Sequence, residues 1–288
     1  MAKLLVIGAL ALDRPVRLSG VLAPGARLHG ATLDGDLRGR LGGGGANAAV
    51  ALRRAGHDVA LAALVARDAE GEAAVAKAAA TGLDMRLVGH RPGRSRTTLI
   101  FIDPTGERTV MGLDLDRAQA PPPSLPKPSG PPPQGLYVRA PYVGAADWAR
   151  HCAGPVVVHW PSPGYAGPAQ VLAASADDLD AEALADPFAA GRALMGPGLK
   201  WVVVTRGSRG VTAHDGQTTL SVDPLPAEVV DATGAWDVFA AGLLDALVAG
   251  ASMPAALAHA CAWGAVAVGL DSSAPLTGTF DAFRPGSP

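Results

Sequence analysis

The residues with the clearest chemical potential lie between positions 231 and 238, where an apolar segment gives way to a run with helical spacing. Apolar side chains recur at every fourth position of that run, as on one helix face, at Phe239, Leu243 and Leu247. Gly234, Ala235 and Trp236 should therefore form the helix start, where backbone N–H groups lack internal partners and favour an anion. Asp237 adds a carboxylate beside them. This pairing suits phosphoryl transfer, because the N–H groups can hold a phosphate while the carboxylate accepts the proton of an attacking hydroxyl.

The same stretch also fits a second interpretation, an N-capped core helix without chemistry, since Asp and Gly are common at helix starts. Two further groups of residues bear on this choice. An apolar segment at residues 3–7 predicts a buried strand, and Asp13 follows it at the edge where open α/β sheets bind ligands. A glycine cluster with Gly43 and Gly44 then leads into an alanine-rich helix, with Asn47 in its first turn. The alternatives are a turn or cap role for Asp13 and a flexible loop for the glycines.

A third group follows the apolar segment 201–204, which predicts another buried strand. Thr205, Gly207 and Gly210 form a T-x-G-x-x-G pattern that offers a hydroxyl and backbone N–H groups to phosphate oxygens, although an ordinary β-turn has the same composition. Neither a dinucleotide-binding G-x-G-x-x-G in a βαβ unit nor a G-x-x-x-x-G-K-[ST] phosphate loop occurs in the sequence. An NAD-dependent dehydrogenase is therefore disfavoured.

Strands and helices alternate along most of the chain, which predicts an α/β fold with a doubly wound, mostly parallel sheet flanked by helices. Strands are predicted at 3–7, 58–65, 84–88, 136–138, 156–159, 169–174 and 201–204, and helices at 72–80, 238–248 and 255–268. Two segments, about 14–41 and 96–112, have the pattern of short antiparallel strands and predict a small β-sheet lid. We expect residues 1–288 to form a single domain that includes this lid.

Composition and charge narrow the classes of function. The chain has 288 residues, 49% of them apolar, which is enough to bury a large core. Its formal net charge of -2 argues against binding to nucleic acid or to a membrane through basic patches. No apolar run reaches the length of a membrane span. Cys152 and Cys261 form no metal or disulfide pattern, which fits a cytoplasmic location.

Taken in order, these segments resemble the ribokinase-like (PfkB) carbohydrate kinase family. Residues 231–239, Asp-Ala-Thr-Gly-Ala-Trp-Asp-Val-Phe, are similar to its C-terminal signature D-[TP]-T-G-A-G-D-x-F, and residues 43–49 to its N-terminal glycine-rich signature. Smaller matches follow in the family's order, at residues 8–13, 68–71, 103–108 and 205–210. The resemblance spans roughly residues 3–270.

The resemblance implies a kinase that uses ATP and Mg²⁺ to phosphorylate a hydroxyl of a sugar or nucleoside, with Asp237 as base and the backbone of Gly234, Ala235 and Trp236 as anion hole. The substrate would be bound by Asp13, Gly43, Gly44 and Asn47. The nucleotide would be bound by Thr205, Gly207, Gly210, Asp231 and Thr233, and Asp178 would help to organise the metal. The implied partners are a small-molecule substrate and a second copy of the chain, docked through the lid.

At two of the implied site positions, the sequence departs from the family pattern. Trp236 stands where the signature has glycine, so its ring must either enter the phosphate path or lie along the sheet and leave the N–H groups free. The family's N-x-x-E motif is present only as Ser175-x-x-Asp178. A second hypothesis therefore stays open, a catalytically degenerate protein of this fold that binds a sugar or nucleotide without turnover. The acceptor is not identified, although Arg94 and Arg96 could bind a sugar phosphate.

Overall fold

The fold is taken from a computed structural model, which describes residues 1–33, 38–105, 108–113 and 124–275. The strands are β1 (Lys3–Ile7), β2 (Ala11–Leu18), β3 (Gly30–Thr32), β4 (Arg40–Gly42), β5 (Asp58–Ala62), β6 (Leu64–Ala66), β7 (Gly89–Arg91), β8 (Thr97–Ile102), β9 (Arg108–Leu113), β10 (Gly135–Val138), β11 (Val156–Trp160), β12 (Val171–Ser175), β13 (Trp201–Thr205), β14 (Val211–His214) and β15 (Thr219–Val222). The α-helices are α1 (Gly44–Arg54), α2 (Ala69–Ala79), α3 (Ala145–His151), α4 (Ala181–Ala185), α5 (Pro187–Met195), α6 (Ala235–Val248) and α7 (Met253–Val268).

The main sheet has eight strands in the order β15-β14-β13-β12-β11-β10-β1-β5. The six strands from β13 to β5 run parallel, and β14 and β15 add an antiparallel edge. Nearly continuous apolar runs such as those of β10 and β11 are typical of a parallel sheet that is covered on both faces. Because the six strands are parallel, their carboxyl ends share one edge, the edge at which ligands bind in α/β folds.

Alternate side chains of each strand point into two separate cores, because successive residues of a strand face opposite sides. Leu4 and Val6 of β1 pack with helices α1, α2, α6 and α7. Leu5 and Ile7 pack on the other face with α3, α4 and α5. Helices thus cover both faces of the sheet, as the sequence predicts for a doubly wound fold. Within the described part of the chain, no helix combines the length and apolarity that crossing a membrane requires.

A second, smaller sheet contains β2, β3, β4, β8 and β9, and we refer to it as the small sheet. β2 pairs with β8 in parallel and with β3 and β4 in antiparallel fashion, and β8 and β9 form an antiparallel pair. Most of its residues come from the two segments in which the sequence predicts short strands. Positions 34–37 and 106–107 of those segments lie outside the described residues. Asp13 belongs to β2 and so to the small sheet, although the sequence suggests the edge of the main sheet.

Two predicted strands differ from the structure. The predicted strand 58–65 breaks at Ala63, so that β5 stays in the main sheet while β6 pairs with β7. The predicted strand 84–88 is wrong, since only Asp84 makes an isolated bridge, to Ala60. The Asp84 carboxylate accepts hydrogen bonds from the backbone and guanidinium of Arg86, and such a local turn ends the extended conformation.

Candidate active site

Two helix starts meet at the carboxyl edge of the main sheet, and each begins with a glycine in a conformation that other residues avoid. Gly43 precedes α1 with φ of 89°, and a side chain there would lie 2.6 Å from the carbonyl oxygen of Ala9. Gly234 precedes α6 with φ of 78°, and its Cβ would run into the carbonyl oxygen of Ser273. Both positions therefore need glycine for space as well as for backbone geometry.

Asp237 lies in the first turn of α6, where it is buried and held at both carboxylate oxygens. Asn47 Nδ2 donates to Oδ2 at 3.0 Å, and Arg139 Nε donates to Oδ1 at 2.8 Å. Gly44 makes this approach possible, because a Cβ there would lie 2.7 Å from Oδ1. The carboxylate is therefore fixed by residues 190 and 98 positions away in the chain.

The backbone at the start of α6 offers unpaired donors beside this carboxylate. Val238 N donates to the Gly234 carbonyl at 3.0 Å. In the described part of the chain, the N–H groups of Trp236 and Asp237 donate to no backbone carbonyl. Unpaired N–H groups at a helix start, aligned with the helix dipole, can bind an anion such as a phosphate.

The Trp236 ring lies along the face of the sheet, the second of the two arrangements considered from the sequence. Its centroid is 4.6 Å from the ring of His159 and 6.4 Å from that of Tyr137. The guanidinium carbon of Arg139 stands 5.4 Å from the Trp236 ring, within the range of a cation–π contact. Burial, together with the charge of Arg139, lowers the pKa of His159 to about 3, so this imidazole is neutral at pH 7.

Asp13, Asp231 and Thr233 belong to a buried polar cluster next to these helix starts. Burial raises the pKa of Asp13, and the Ser273 hydroxyl and the charge of Arg40 offset part of that effect. Arg40 forms an ion pair with Asp231 and donates through Nε to Ser273 Oγ at 3.1 Å. Burial also raises the pKa of Asp231, but hydrogen bonds from Thr233 and Arg40 outweigh it and lower the pKa overall. Asp231 is thus committed to an internal ion pair.

The turn predicted to bind nucleotide phosphates stands at the same sheet edge. Thr205 ends β13, and its hydroxyl donates to the Ala174 carbonyl at 3.4 Å. Gly207 and Gly210 have positive φ values of 54° and 81° in the tight turn that follows. Because β13 is three strands from β10 in the sheet, this turn lies on the order of 14 Å from the strand that leads to Arg139.

Asp178 follows β12 and is exposed in a short 3₁₀ turn. Burial lowers the pKa of Arg139, but the charge of Asp237 and, to a smaller extent, that of Asp178 help to outweigh it and raise the pKa overall. Among the described residues, no three His, Cys, Asp or Glu side chains form a group that could hold a metal ion. A metal bound here would therefore need ligands from a substrate as well.

Most of the chain matches a known protein family. Residues 1–127 and 169–276 match the family described as pfkB family carbohydrate kinase. The chain belongs to this family. Asn47 and Asp237, which are joined by a hydrogen bond in the site, both lie within the matched residues of this PfkB protein.

Solved structures share the fold of this PfkB protein at low sequence identity. The ribokinase of Cryptococcus neoformans var. grubii serotype A in complex with ADP is 21% identical, with a TM-score of 0.74 and 99% of each chain covered. The Arabidopsis thaliana ribokinase complexed with ribose and ATP is 18% identical, with a TM-score of 0.72 over 98% of this chain and 97% of that chain. The Burkholderia thailandensis nucleoside kinase in complex with inosine is 19% identical, with a TM-score of 0.71 over 97% and 95%.

The sequence patterns do not point to two arginines of the candidate site, Arg139 and Arg40. Arg139 comes directly after β10, so the rule that directs attention to residues after parallel strands could have found it. Arg40 begins β4 of the small sheet, and no local pattern indicates that it pairs with Asp231, which lies 191 positions further along the chain.

Proposed function

We propose that this PfkB-family protein transfers the γ-phosphoryl group of ATP to a hydroxyl of a sugar or nucleoside. The observation that carries the proposal is the placement of Asp237, a carboxylate held by Asn47 and Arg139 beside unpaired N–H groups at the start of α6. The ADP, ATP, ribose and inosine bound to proteins of the same fold support these classes of donor and acceptor.

In the proposed reaction, Asp237 takes the proton of the acceptor hydroxyl as its oxygen attacks the γ-phosphorus. A new oxygen–phosphorus bond forms, the bond from the γ-phosphorus to the bridging oxygen breaks, and ADP leaves. The backbone N–H groups of Trp236 and Asp237 would stabilise the negative charge on the transferring group. The Trp236 ring lies against the sheet, so it leaves these N–H groups free for that role.

The acceptor would bind between the start of α1 and the small sheet. The buried side-chain oxygen of Asn47 has no hydrogen-bond partner in the described part of the structure, and a sugar hydroxyl could donate to it. Asp13 adds a buried carboxylate on the same side. Gly43 and Gly44 support this site indirectly, because they leave room for the Ala9 carbonyl and for the Asp237 carboxylate.

The nucleotide would extend from the start of α6 toward the turn of Thr205, Gly207 and Gly210. We propose that Asp178 helps to hold Mg²⁺ together with nucleotide phosphates and water, a ligand set that this ion accepts. Bound there, Mg²⁺ would neutralise phosphate charge. Asp231 and Thr233 would act indirectly, by fixing the loop before α6 through the ion pair with Arg40.

The decisive variant is Asp237→Asn, which keeps the shape of the side chain and removes its basicity. We expect ADP release with the best acceptor from a sugar and nucleoside panel to fall by about 10²-fold or more. Asp147→Asn is the matched control, since Asp147 is an exposed carboxylate of α3 that pairs with Arg150 on the surface. Unchanged turnover in Asp237→Asn, measured in a coupled assay, would remove Asp237 from its role.

One observation favours the second hypothesis, a protein that binds without turnover: both oxygens of Asp237 are already engaged, one of them by a cation. Such a protein would be stabilised against heat by ATP or a sugar. It would nevertheless release no ADP with any acceptor of the panel. Thermal denaturation and the coupled assay, run on the same preparation, separate the two functions.

A further inference from the structure

Arg139 lies beside the proposed acceptor side, at a position that neither motif of the sequence indicates. It follows β10, which lies next to β1, and a Cβ on Gly8 after β1 would stand 2.9 Å from Arg139 Cβ. A Cβ on Gly44 would lie 2.8 Å from Arg139 Nε. The arginine therefore lies against Gly44 of the proposed acceptor side, whereas the predicted nucleotide turn is three strands away.

The guanidinium is held in place yet keeps donors to spare. Nε binds Asp237, and the face of Trp236 lies 5.4 Å from the guanidinium carbon. Within the described residues, the two terminal nitrogens of Arg139 make no hydrogen bond, and one third of the side chain is exposed. A fixed guanidinium with free terminal donors matches the geometry of a carboxylate or phosphate.

Charge balance during the proposed reaction gives a second argument for a contact between Arg139 and the acceptor. In the free protein, Asp237 neutralises Arg139 at 2.8 Å. When Asp237 accepts the proton of the acceptor hydroxyl, it becomes neutral, and the partly buried guanidinium loses its hydrogen-bonded counter-charge. A partly buried charge without a partner is unfavourable. An anionic group on the acceptor would keep Arg139 paired through this step, whereas a neutral sugar would not.

We infer that Arg139 binds an anionic group of the acceptor, so that the preferred substrate is a sugar acid or a sugar phosphate. This inference rests on the proposed function, since it concerns the same site. The neighbouring imidazole of His159 is neutral and does not share the task. Arg96, a basic residue considered from the sequence, lies across Gly112 of β9 in the small sheet.

The kinetic test compares each neutral sugar with its own anionic derivatives: ribose with ribonate and ribose 5-phosphate, and glucose with gluconate and glucose 6-phosphate. The wild-type protein should favour an anionic member over its neutral parent by about ten- to hundredfold in kcat/KM, the range that one charged hydrogen-bonded contact supplies. Arg139→Gln should abolish this preference, and Arg139→Lys should retain part of it. The carboxylate and phosphate arms show which anion fits.

The control is Arg86→Gln, because Arg86 also forms an ion pair with an aspartate but lies on the surface, far more exposed than Arg139. It should leave the preference unchanged. Equal losses for neutral and anionic acceptors in Arg139→Gln would overturn the inference, since they would place Arg139 on the transferring phosphate. The proposed kinase function would survive that result.

A second measurement needs neither ATP nor turnover. Thermal denaturation of the wild-type protein with the same sugars at millimolar concentration should show stabilisation by an anionic member and less by its neutral parent. This difference should disappear in Arg139→Gln and persist in Arg86→Gln. Stabilisation that is equal for both members, or absent for all of them, would overturn the inference. If no acceptor is phosphorylated, the kinase function fails while this binding result still decides the role of Arg139.

Discussion

At the scale of single residues, glycine is required at position 234 for two reasons, the positive φ and the lack of space for a side chain. The energetic costs of the two can be measured separately. Its φ is 78°, and its Cβ position is occupied by the Ser273 carbonyl, whereas Gly250, with φ of 80°, faces open space. Gly250→Ala should lower the free energy of unfolding by about 1 kcal/mol, the cost of the conformation alone. Gly234→Ala should lower it by at least about 2 kcal/mol and also reduce activity, because the start of α6 must shift. Urea denaturation of both variants checks this, and equal effects would contradict it.

Trp236 is the residue at which the sequence departs most from the family signature. The contacts of its ring predict that it stabilises the site and does not obstruct it. Trp236→Gly should destabilise the protein by about 2 to 3 kcal/mol and lower activity, because the ring packs on His159 and Tyr137 and covers Arg139. Trp236→Phe should retain most of the stability and most of the activity, since it keeps an aromatic face. Thermal denaturation and the coupled assay measure the two effects. Higher activity in Trp236→Gly would show instead that the tryptophan obstructs the site.

At the scale of elements, a buried carboxylate joins three parts of the chain. Asp245 of α6 binds His57 Nε2 at 2.6 Å and His259 Nε2 of α7 at 2.7 Å. His57 Nδ1 in turn accepts from the backbone N–H of Ala2 at 3.1 Å, so Nε2 is the nitrogen that donates to Asp245. The cluster therefore ties α6 to α7 and to the start of β5.

This cluster predicts a defined pH dependence. Burial raises the pKa of Asp245, but hydrogen bonds from His259 and His57 outweigh it and bring the pKa to about 2. Because the pKa is lower in the folded state than the ordinary value of about 3.9, the stabilisation is complete above pH 4 and is lost as the pH falls toward 2.

Asp245→Asn should accordingly cost about 2 to 4 kcal/mol of unfolding free energy at pH 7, and the difference from wild type should shrink between pH 4 and pH 2. Urea denaturation across this range measures it. The exposed Asp147→Asn serves as control and should change little at any pH. A difference that stays constant down to pH 2 would show that Asp245 is not the titrating group.

The elements also show how much of the fold and of the site can be predicted from the sequence. β1, β13 and α7 follow from apolar runs of sufficient length, and the antiparallel character of the small sheet follows from its alternating pattern. Helices α3, α4 and α5 have 7, 5 and 9 residues. Because segments this short show no clear helical period, the sequence does not predict them. In the site, the two signatures indicate Asn47 and Asp237. The ion pair of Arg139 depends on the approach of β10 to α6, which no local pattern encodes.

At the scale of the whole molecule, the small sheet presents an apolar edge to solvent. β9 is its outer strand, and Val110 and Met111 on it are 59% and 43% exposed. Apolar side chains on an open edge strand favour pairing with another chain. This supports the homodimer expected from the family resemblance, with the small sheet as the interface.

Val110→Lys combined with Met111→Lys should therefore shift the protein from dimer to monomer, because charges on an edge strand oppose pairing. Light scattering after size-exclusion chromatography measures the mass in solution. Leu194→Lys is the matched control, as Leu194 is 58% exposed on α5. A wild-type protein that is already monomeric at micromolar concentration would refute the interface.

The pairing of early and late parts of the chain has a consequence for biosynthesis. Arg40 meets Asp231 and Ser273, and Asn47 meets Asp237, across separations of 191, 233 and 190 residues. When synthesis has reached residue 200, most of the parallel strands are complete, but Arg40 and Asn47 still lack their partners. The main sheet of the nascent protein should therefore form in steps as its strands are synthesised. The contacts of the site should form together, after the segment around Ser273 has left the ribosome.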